Sequence, residues 1–316
     1  MKKPAILVVG SMNMDMTISG APKIAQYGES VFCKSYLESP GGKGANQAVA
    51  ASRLGGEVSM VGRVGNDRNG KILLENLEKN GVQIDGVFLD AETQTGMADI
   101  LVDAQTGKYT CYVVLGGNDR ITAQQVESAL NRTNYDMVLM QLEMPLETVY
   151  RTYELASQKG VPVFLDAGPA MKIDLERLKG IFVLSPNEAE TEALTGVLPD
   201  SLNTAEKAAE ILYQHAMPQY VLLKLGSRGA LLYDGKDAEW IPCFNELKAV
   251  DSTAAGDTFG AAFAVRHCMG YGVREAVRYA HAAAGICVSR RGAQASIPDF
   301  YEVEAFLKGR KENVYG

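Results

Sequence analysis

Apolar residues in this chain fall into two alternating textures. Ile6-Leu7-Val8-Val9-Gly10 is a continuous apolar, β-branched run, the pattern of a strand buried on both faces of a parallel sheet. Similar short runs recur at 58–62, 137–141, 161–165, 180–184 and 220–225. Between them lie longer stretches with helical spacing: 48–54, stopped by Gly55-Gly56, then 71–80, ended by Gly81, and 146–159, 205–215, 273–290 and 300–308. A different texture occupies 96–115. Met97-Ala98-Asp99-Ile100-Leu101-Val102-Asp103, a turn at Ala104-Gln105-Thr106-Gly107, and Lys108-Tyr109-Thr110-Cys111-Tyr112-Val113-Val114 predict a β-hairpin. The weakly alternating segment 31–38 is expected to pair with it in a small sheet over the main body. A second hairpin follows 220–225 through Gly226-Ser227-Arg228-Gly229-Ala230. The alternation predicts a three-layer α/β/α fold in one domain over 1–316, with a central, mostly parallel sheet. Segments of about 14–39 and 96–116 would form a β lid.

Composition narrows the partners. Hydrophobic content of 47% and charged content of 22% over 316 residues are ordinary for a globular protein. A net charge of −7 without a basic block argues against nucleic acid. No apolar run approaches a membrane span, and Met1-Lys2-Lys3-Pro4 leads into a strand pattern rather than a signal peptide. The five cysteines are odd in number and scattered, which fits reduced thiols in a cytoplasmic protein; three dispersed histidines do not make a zinc site.

Candidate chemistry gathers at a few turns. In Ala249-Val250-Asp251-Ser252-Thr253-Ala254-Ala255-Gly256-Asp257-Thr258-Phe259 a strand-like segment ends at Val250, and a helix begins near Asp257. Small residues there let backbone amides converge at a helix N-terminus, which attracts anions. Asp257 would repel a phosphate unless it handled a proton, so the pairing fits phosphoryl transfer. A plain helix start with Asp in its first turn is the other reading. After the first strand, Asn13 and Asp15 would project the same way from extended backbone and suit hydroxyls; a polar turn is the alternative. Pro40-Gly41-Gly42-Lys43-Gly44-Ala45-Asn46-Gln47 opens a helix with glycines that admit close approach, and Lys43 and Asn46 share a face. It lacks the GxxxxGK[ST] spacing, and Gly10-Ser11-Met12-Asn13 is not the GxGxxG of a nicotinamide site. Asn187 and Glu190, three apart at a helix start, would face one ligand or form a capping box.

Gly41-Gly42-Lys43-Gly44-Ala45-Asn46-Gln47 and Asp251-Ser252-Thr253-Ala254-Ala255-Gly256-Asp257-Thr258-Phe259 resemble the two motifs of the ribokinase-like (PfkB) carbohydrate kinases. Gly10-Ser11-Met12-Asn13-Met14-Asp15, Gln141-Leu142-Glu143, Pro186-Asn187-Glu188-Ala189-Glu190, Leu225-Gly226-Ser227-Arg228-Gly229 and His281-Ala282-Ala283-Ala284 match in the same order, so the resemblance spans nearly the whole chain. It is nearest the ribokinase branch, rather than the fructokinase, adenosine kinase or phosphofructokinase branches. The resemblance implies a ribokinase-like fold and ATP-dependent phosphorylation of D-ribose at its 5-hydroxyl. Asn13, Asp15, Gly41, Gly42, Lys43, Asn46 and Glu143 would bind the sugar. Asp257 would be the base, and the Ala254, Ala255, Gly256 and Asp257 amides an anion hole. Asn187, Lys224, Gly226, Ser227, Gly229, Gly256 and His281 would bind ATP, with Asn187 and Glu190 reaching Mg²⁺ indirectly. Asp251, Thr253, Cys287, Arg290, Gly292 and Ser296 would hold K⁺, several through backbone carbonyls.

Three positions depart from the family pattern: Gly260 in place of Asn, Ala254 in the anion turn, and Asp166-Ala167-Gly168-Pro169-Ala170 in place of an Asn-Pro-Ala-Pro run. They leave room for a different sugar or weaker activity. A kinase of the same family acting on 2-deoxyribose, another sugar or a nucleoside is the alternative. A sugar-binding sensor without catalysis is the reading from another class, and retention of Asp257 argues against it. Apolar residues at Ile100, Val102, Tyr112 and Val114 imply a homodimer joined through the small sheets.

Overall fold

The computed structural model describes residues 3–103, 109–244 and 246–313, and the expected turn at Ala104-Gln105-Thr106-Gly107 lies outside them. The chain opens with β1 (Ala5–Val9), β2 (Asn13–Ala21) and β3 (Ser35–Gly41), then α1 (Lys43–Arg53), β4 (Glu57–Gly65), α2 (Arg68–Lys79) and β5 (Val82–Asp90). The hairpin β6 (Gly96–Asp103) and β7 (Tyr109–Val114) leads through a 3-10 turn, Gly116–Arg120, to α3 (Ala123–Arg132). Next come β8 (Met137–Met140), α4 (Leu146–Gln158), β9 (Val163–Asp166), β10 (Val183–Ser185), α5 (Glu188–Thr195), α6 (Leu202–Ala216) and β11 (Tyr220–Lys224). The chain closes with β12 (Ala230–Tyr233), β13 (Ala238–Ile241), α7 (Ala255–Cys268), α8 (Val273–Val288) and α9 (Phe300–Asn313).

Among the described residues nine strands form the main sheet, in the order β13-β12-β11-β10-β9-β8-β1-β4-β5. Every pairing from β5 to β11 is parallel, and β12 and β13 add an antiparallel edge. Alternate residues of one strand feed opposite faces. Ile6 and Val8 join the core under α1, α7 and α8, whereas Leu7 and Val9 join the core under α3, α4 and α6. Both faces are covered, which is why these strands read as unbroken apolar runs. The order turns at β1: β4 and β5 lie on one side, β8 to β11 on the other. Ligand sites in open α/β sheets form beyond the carboxyl ends of strands at such a reversal.

The small sheet has the order β3-β2-β6-β7 and corrects two expectations. The hairpin does not pair with the 31–38 segment directly. β2 runs between them, antiparallel to β3 and parallel to β6. The strand expected at 31–38 runs at Ser35–Gly41 and passes through Pro40, which a strand tolerates when it borders solvent on one side. The strand expected before the anion turn is absent. The Val250 and Asp251 amides both donate instead to the Val288 carbonyl at the end of α8, at 2.7 and 3.1 Å. Apolar side chains stand open on the small sheet and its approach: Phe32, Tyr36, Leu37, Tyr112, Val113 and Val114 are all exposed. Among the described residues, no helix is long and apolar enough to cross a membrane.

Candidate active site

The carboxyl ends of β1, β8, β9, β10 and β11 and the N-termini of α1 and α7 converge on one cluster of polar and charged side chains. On one side, β2 brings Asn13 and Asp15 inward on the same face, both nearly fully buried. Gly41 sits opposite Asn13 on β3, where a Cβ would lie 1.9 Å from Asp15 Oδ2, so the Asp15 carboxylate lies flat against glycine backbone. Gly42 takes φ of 88°, open to glycine, and caps α1 without a side-chain bond. A Cβ there would meet the Asn13 amide at 2.6 Å. Glu143, just past β8, accepts from Ser11 Oγ at 2.5 Å and from the Lys43 amide at 3.4 Å. From the first turns of α1, Asn46 Nδ2 donates to Asp257 Oδ2 at 2.9 Å. The proposed sugar residues are thus neighbours of the proposed base.

Asp257 lies in the first turn of α7, buried, with Oδ1 lacking a partner. Ala254 caps this helix in the left-handed region at φ 59°, a strained conformation for a residue with a Cβ. The Ala255 amide reaches back to Ser252 at 3.2 Å, leaving the Gly256 and Asp257 amides as first-turn donors. A Cβ on Gly256 would lie 3.8 Å from Lys224 Nζ, so an ammonium faces the same turn. Lys224, the last residue of β11, is ion-paired with Asp166, the last residue of β9, and lies 3.9 Å from Glu190. Beyond it, Gly226 and Gly229 at φ 54° and 102° fold a tight loop through Ser227. His281 on α8 is buried edge-on to Phe259, with Nε2 unpartnered.

Asn187 and Glu190 form the capping box. Asn187 Oδ1 accepts the Glu190 amide at 2.9 Å, and Glu190 Oε2 accepts the Asn187 amide at 2.7 Å. The six residues expected to hold a monovalent cation do gather, beneath the anion turn. Asp251 accepts from Thr253 Oγ1 at 2.6 Å and from the Gly292 amide at 2.9 Å; Cys287 Sγ sits 3.0 Å from Ser296 Oγ and 3.7 Å from the Thr253 carbonyl; the Arg290 amide donates to Cys287 at 3.1 Å. The Arg290 guanidinium is taken by Glu302, so only its backbone is turned to this loop.

A family model described as pfkB family carbohydrate kinase matches residues 3–299. The chain belongs to that family. It is 38% identical over 303 residues to the ribokinase of Bacillus subtilis, covering 96% of this chain and 99% of that protein. The Arabidopsis thaliana ribokinase complexed with ribose and ATP has the same fold, with a TM-score of 0.87, 33% identity and coverage of 97% and 99%. The Thermotoga maritima ribokinase superposes with a TM-score of 0.85 at 38% identity, covering 96% and 99%.

Within this kinase fold the cluster is electrostatically crowded. Burial raises the Asp257 pKa to about 6 against the pull of Lys43, and raises Asp15 to about 7 with help from Glu143 and Asp257. Burial alone would depress Lys43, but Asp257, Asp166, Glu143 and Glu190 around it push it above the ordinary lysine value. Lys224 is raised against burial in the same way by Asp166 and Glu190. Asp166 is held below the usual carboxylate range by Lys224 and Lys43, despite burial. Burial lowers His281 to about 4, which keeps it neutral near pH 7.

Sequence reasoning passed over the residues that hold this cluster in place. Asp166 appeared only as a departure from a motif, yet it anchors Lys224. Gln47 donates to Asp166 Oδ2 at 3.1 Å and accepts from Gln141 at 2.7 Å, a buried relay beneath the site. Asn118, on the 3-10 turn, bonds the strand that carries Asn13. A buried polar residue within an apolar run was the available signal for Gln141, because such groups need partners. Since the folded state raises the Asp257 pKa above its unfolded value, Asp257 opposes folding increasingly as pH rises through about 6. Asp257→Asn is expected to melt at a higher temperature than wild type at pH 8, with the gap closing toward pH 4. Calorimetry across that range checks this; a gap that widens toward acid would refute the assignment.

Proposed function

We propose that this chain is an ATP-dependent kinase that phosphorylates D-ribose on its 5-hydroxyl, yielding ribose 5-phosphate and ADP. The observation that carries the reading is the position of Asp257. Its bond to Asn46 ties it to the polar residues of β2 and α1, while Gly256, its neighbour in the same turn, faces the Lys224 ammonium. Asn13, Asp15, Gly41, Gly42, Lys43, Asn46 and Glu143 hold the sugar. Asp257 Oδ1, free of partners, takes the hydroxyl proton as the sugar oxygen bonds to the γ-phosphorus and the bond to the ADP oxygen breaks. A base with a pKa near the operating pH is the one best suited to this transfer. The amides of the 254–257 turn and the Lys224 ammonium stabilise charge on the transferring group. Asn187, Gly226, Ser227, Gly229 and His281 line the nucleotide side.

A Mg²⁺ ion bound with ATP would neutralise phosphate charge. Asn187 and Glu190, closed on each other as a capping box, fit contact with it through water. For K⁺ the fit rests on the donors beneath the anion turn: the Asp251 carboxylate and the carbonyls of Thr253, Cys287, Arg290, Gly292 and Ser296 are hard oxygens carrying a single charge. The small sheet acts as a lid on a single domain spanning 1–316, and its exposed Phe32, Tyr36, Leu37 and Tyr112 support dimerisation through the lids.

ATP consumption across D-ribose, 2-deoxyribose, fructose and nucleosides should be fastest with ribose; faster turnover of a nucleoside would overturn the assignment. Asp257→Asn should lower kcat about 10²- to 10⁴-fold while sugar still binds, and an unchanged kcat would remove it as the base. Replacing K⁺ with Na⁺ should slow the reaction, whereas equal rates would remove the cation site. Light scattering should give the mass of a dimer at micromolar concentration; a monomer would reject pairing through the lids.

A further inference from the structure

Asn118 stands outside every motif in this chain and is fully buried on the 3-10 turn between β7 and α3. Its Oδ1 accepts the Met12 amide at 2.9 Å, and its Nδ2 donates to the Met12 carbonyl at 3.2 Å and to Asn13 Oδ1 at 2.7 Å. The polarity of this chain of bonds follows by elimination. A peptide N–H only donates, so the Asn118 atom facing Met12 N must be its oxygen. The other atom is then the NH₂, and the Asn13 atom that receives it must also be oxygen. Asn13 therefore turns Nδ2, a donor, away from the clamp. Glycine flanks Asn13 in both neighbouring strands, at Gly41 and Gly96. A Cβ on Gly96 would lie 2.2 Å from Asn118 Nδ2 and 2.3 Å from Asn13 Oδ1, so the clamp exists only because residue 96 has no side chain.

We propose that Asn118 is a positioning residue for the sugar subsite: it locks the Asn13 amide with its donor facing the substrate, beside the Asp15 carboxylate, which accepts. The inference rests on the kinase reading and deepens it. Donor and acceptor side by side on one strand match a hydroxyl-bearing carbon, whose oxygen takes a hydrogen bond from Asn13 while a hydroxyl proton goes to Asp15. A substrate with hydrogen in place of that hydroxyl leaves the fixed Nδ2 without a partner and is rejected.

Asn118→Asp retains the shape and the acceptor for Met12 but removes the donor. The Asn13 amide then rotates to give its NH₂ to the new carboxylate and shows oxygen to the sugar. Calorimetric binding of D-ribose should weaken about 10- to 100-fold, with the KM for ATP within about twofold of wild type. Because Asn118 acts through Asn13, the same substitution made on Asn13→Ala should change ribose affinity less than about threefold. Ribose affinity unchanged in Asn118→Asp, or an equal loss in the Asn13→Ala background, would overturn the proposal. Should Asn118→Asp not fold, Asn13→Asp reverses the same atom, and undiminished ribose affinity there would overturn it equally. Wild type that binds ribose without phosphorylating it defeats the kinase reading while leaving this test in force; wild type that does neither defeats both.

Discussion

Two ammonium groups and five carboxylates crowd one largely buried cluster, and the surrounding structure is arranged around their mutual compensation. Lys43 and Lys224 stand among Asp15, Glu143, Asp166, Glu190 and Asp257, and removing Lys224 would leave the buried Asp166 carboxylate without its ion-pair partner. The compensation is uneven. Asp166 lies against Lys224 and is firmly ionised, whereas Asp257 accepts one hydrogen bond from a neutral amide and keeps one oxygen bare. Two carboxylates on neighbouring elements thus take opposite roles, one a fixed counter-charge and the other a group able to exchange a proton near neutrality. Pairs of titratable groups driven apart by their environments mark acid–base work.

The main sheet makes that unevenness possible. Its parallel strands all end at the same edge, so Asp166 and Lys224 arrive as the terminal residues of β9 and β11 without any loop to position them. The helices contribute in the other direction. α1 and α7 present their N-termini, with Gly42 and Ala254 in left-handed backbone, and place Asn46 against Asp257. The main sheet and its helices therefore hold Asp166, Lys224 and Asp257, while the small sheet supplies Asn13 and Asp15 from a separate layer.

Much of this was legible from residue pattern. Buried parallel strands announce themselves as apolar runs, and small residues, Gly41-Gly42 before α1 and Ala254-Ala255-Gly256 at α7, mark both helix starts. What stayed hidden did so for physical reasons. β5 borders the sheet, so its residues are half exposed and its alternation is blurred, with a register shift at Ser59–Val61 on its partner. Ser11-Met12-Asn13-Met14-Asp15 supports extended backbone but leaves a polar turn open as the alternative, because Asn13 and Asp15 look solvent-facing; both are buried on β2. The pairing of β2 between β3 and β6 is long-range, and no local signal encodes it. Val250 misled in the opposite sense: an apolar residue before a turn resembles a strand end, yet it is exposed and held by the end of a helix. Asp166 and Asn118 carry no distinctive spacing at all, since their partners lie 58 and 105–106 positions away.

The bond between Asn46 and Asp257 joins residues 211 positions apart. Synthesis proceeds from the N-terminus at about 5–20 residues per second, so a growing chain carries Asn13, Asp15, Lys43 and Asn46 for many seconds before Asp257 emerges. Through that interval Lys43 lacks one of its counter-charges, and the apolar face that α7 will cover stands open on β8 and β9. Asp257 and the helix that seals one core layer arrive together. Completion of the charge cluster and completion of that layer are thereby the same event in the life of the chain.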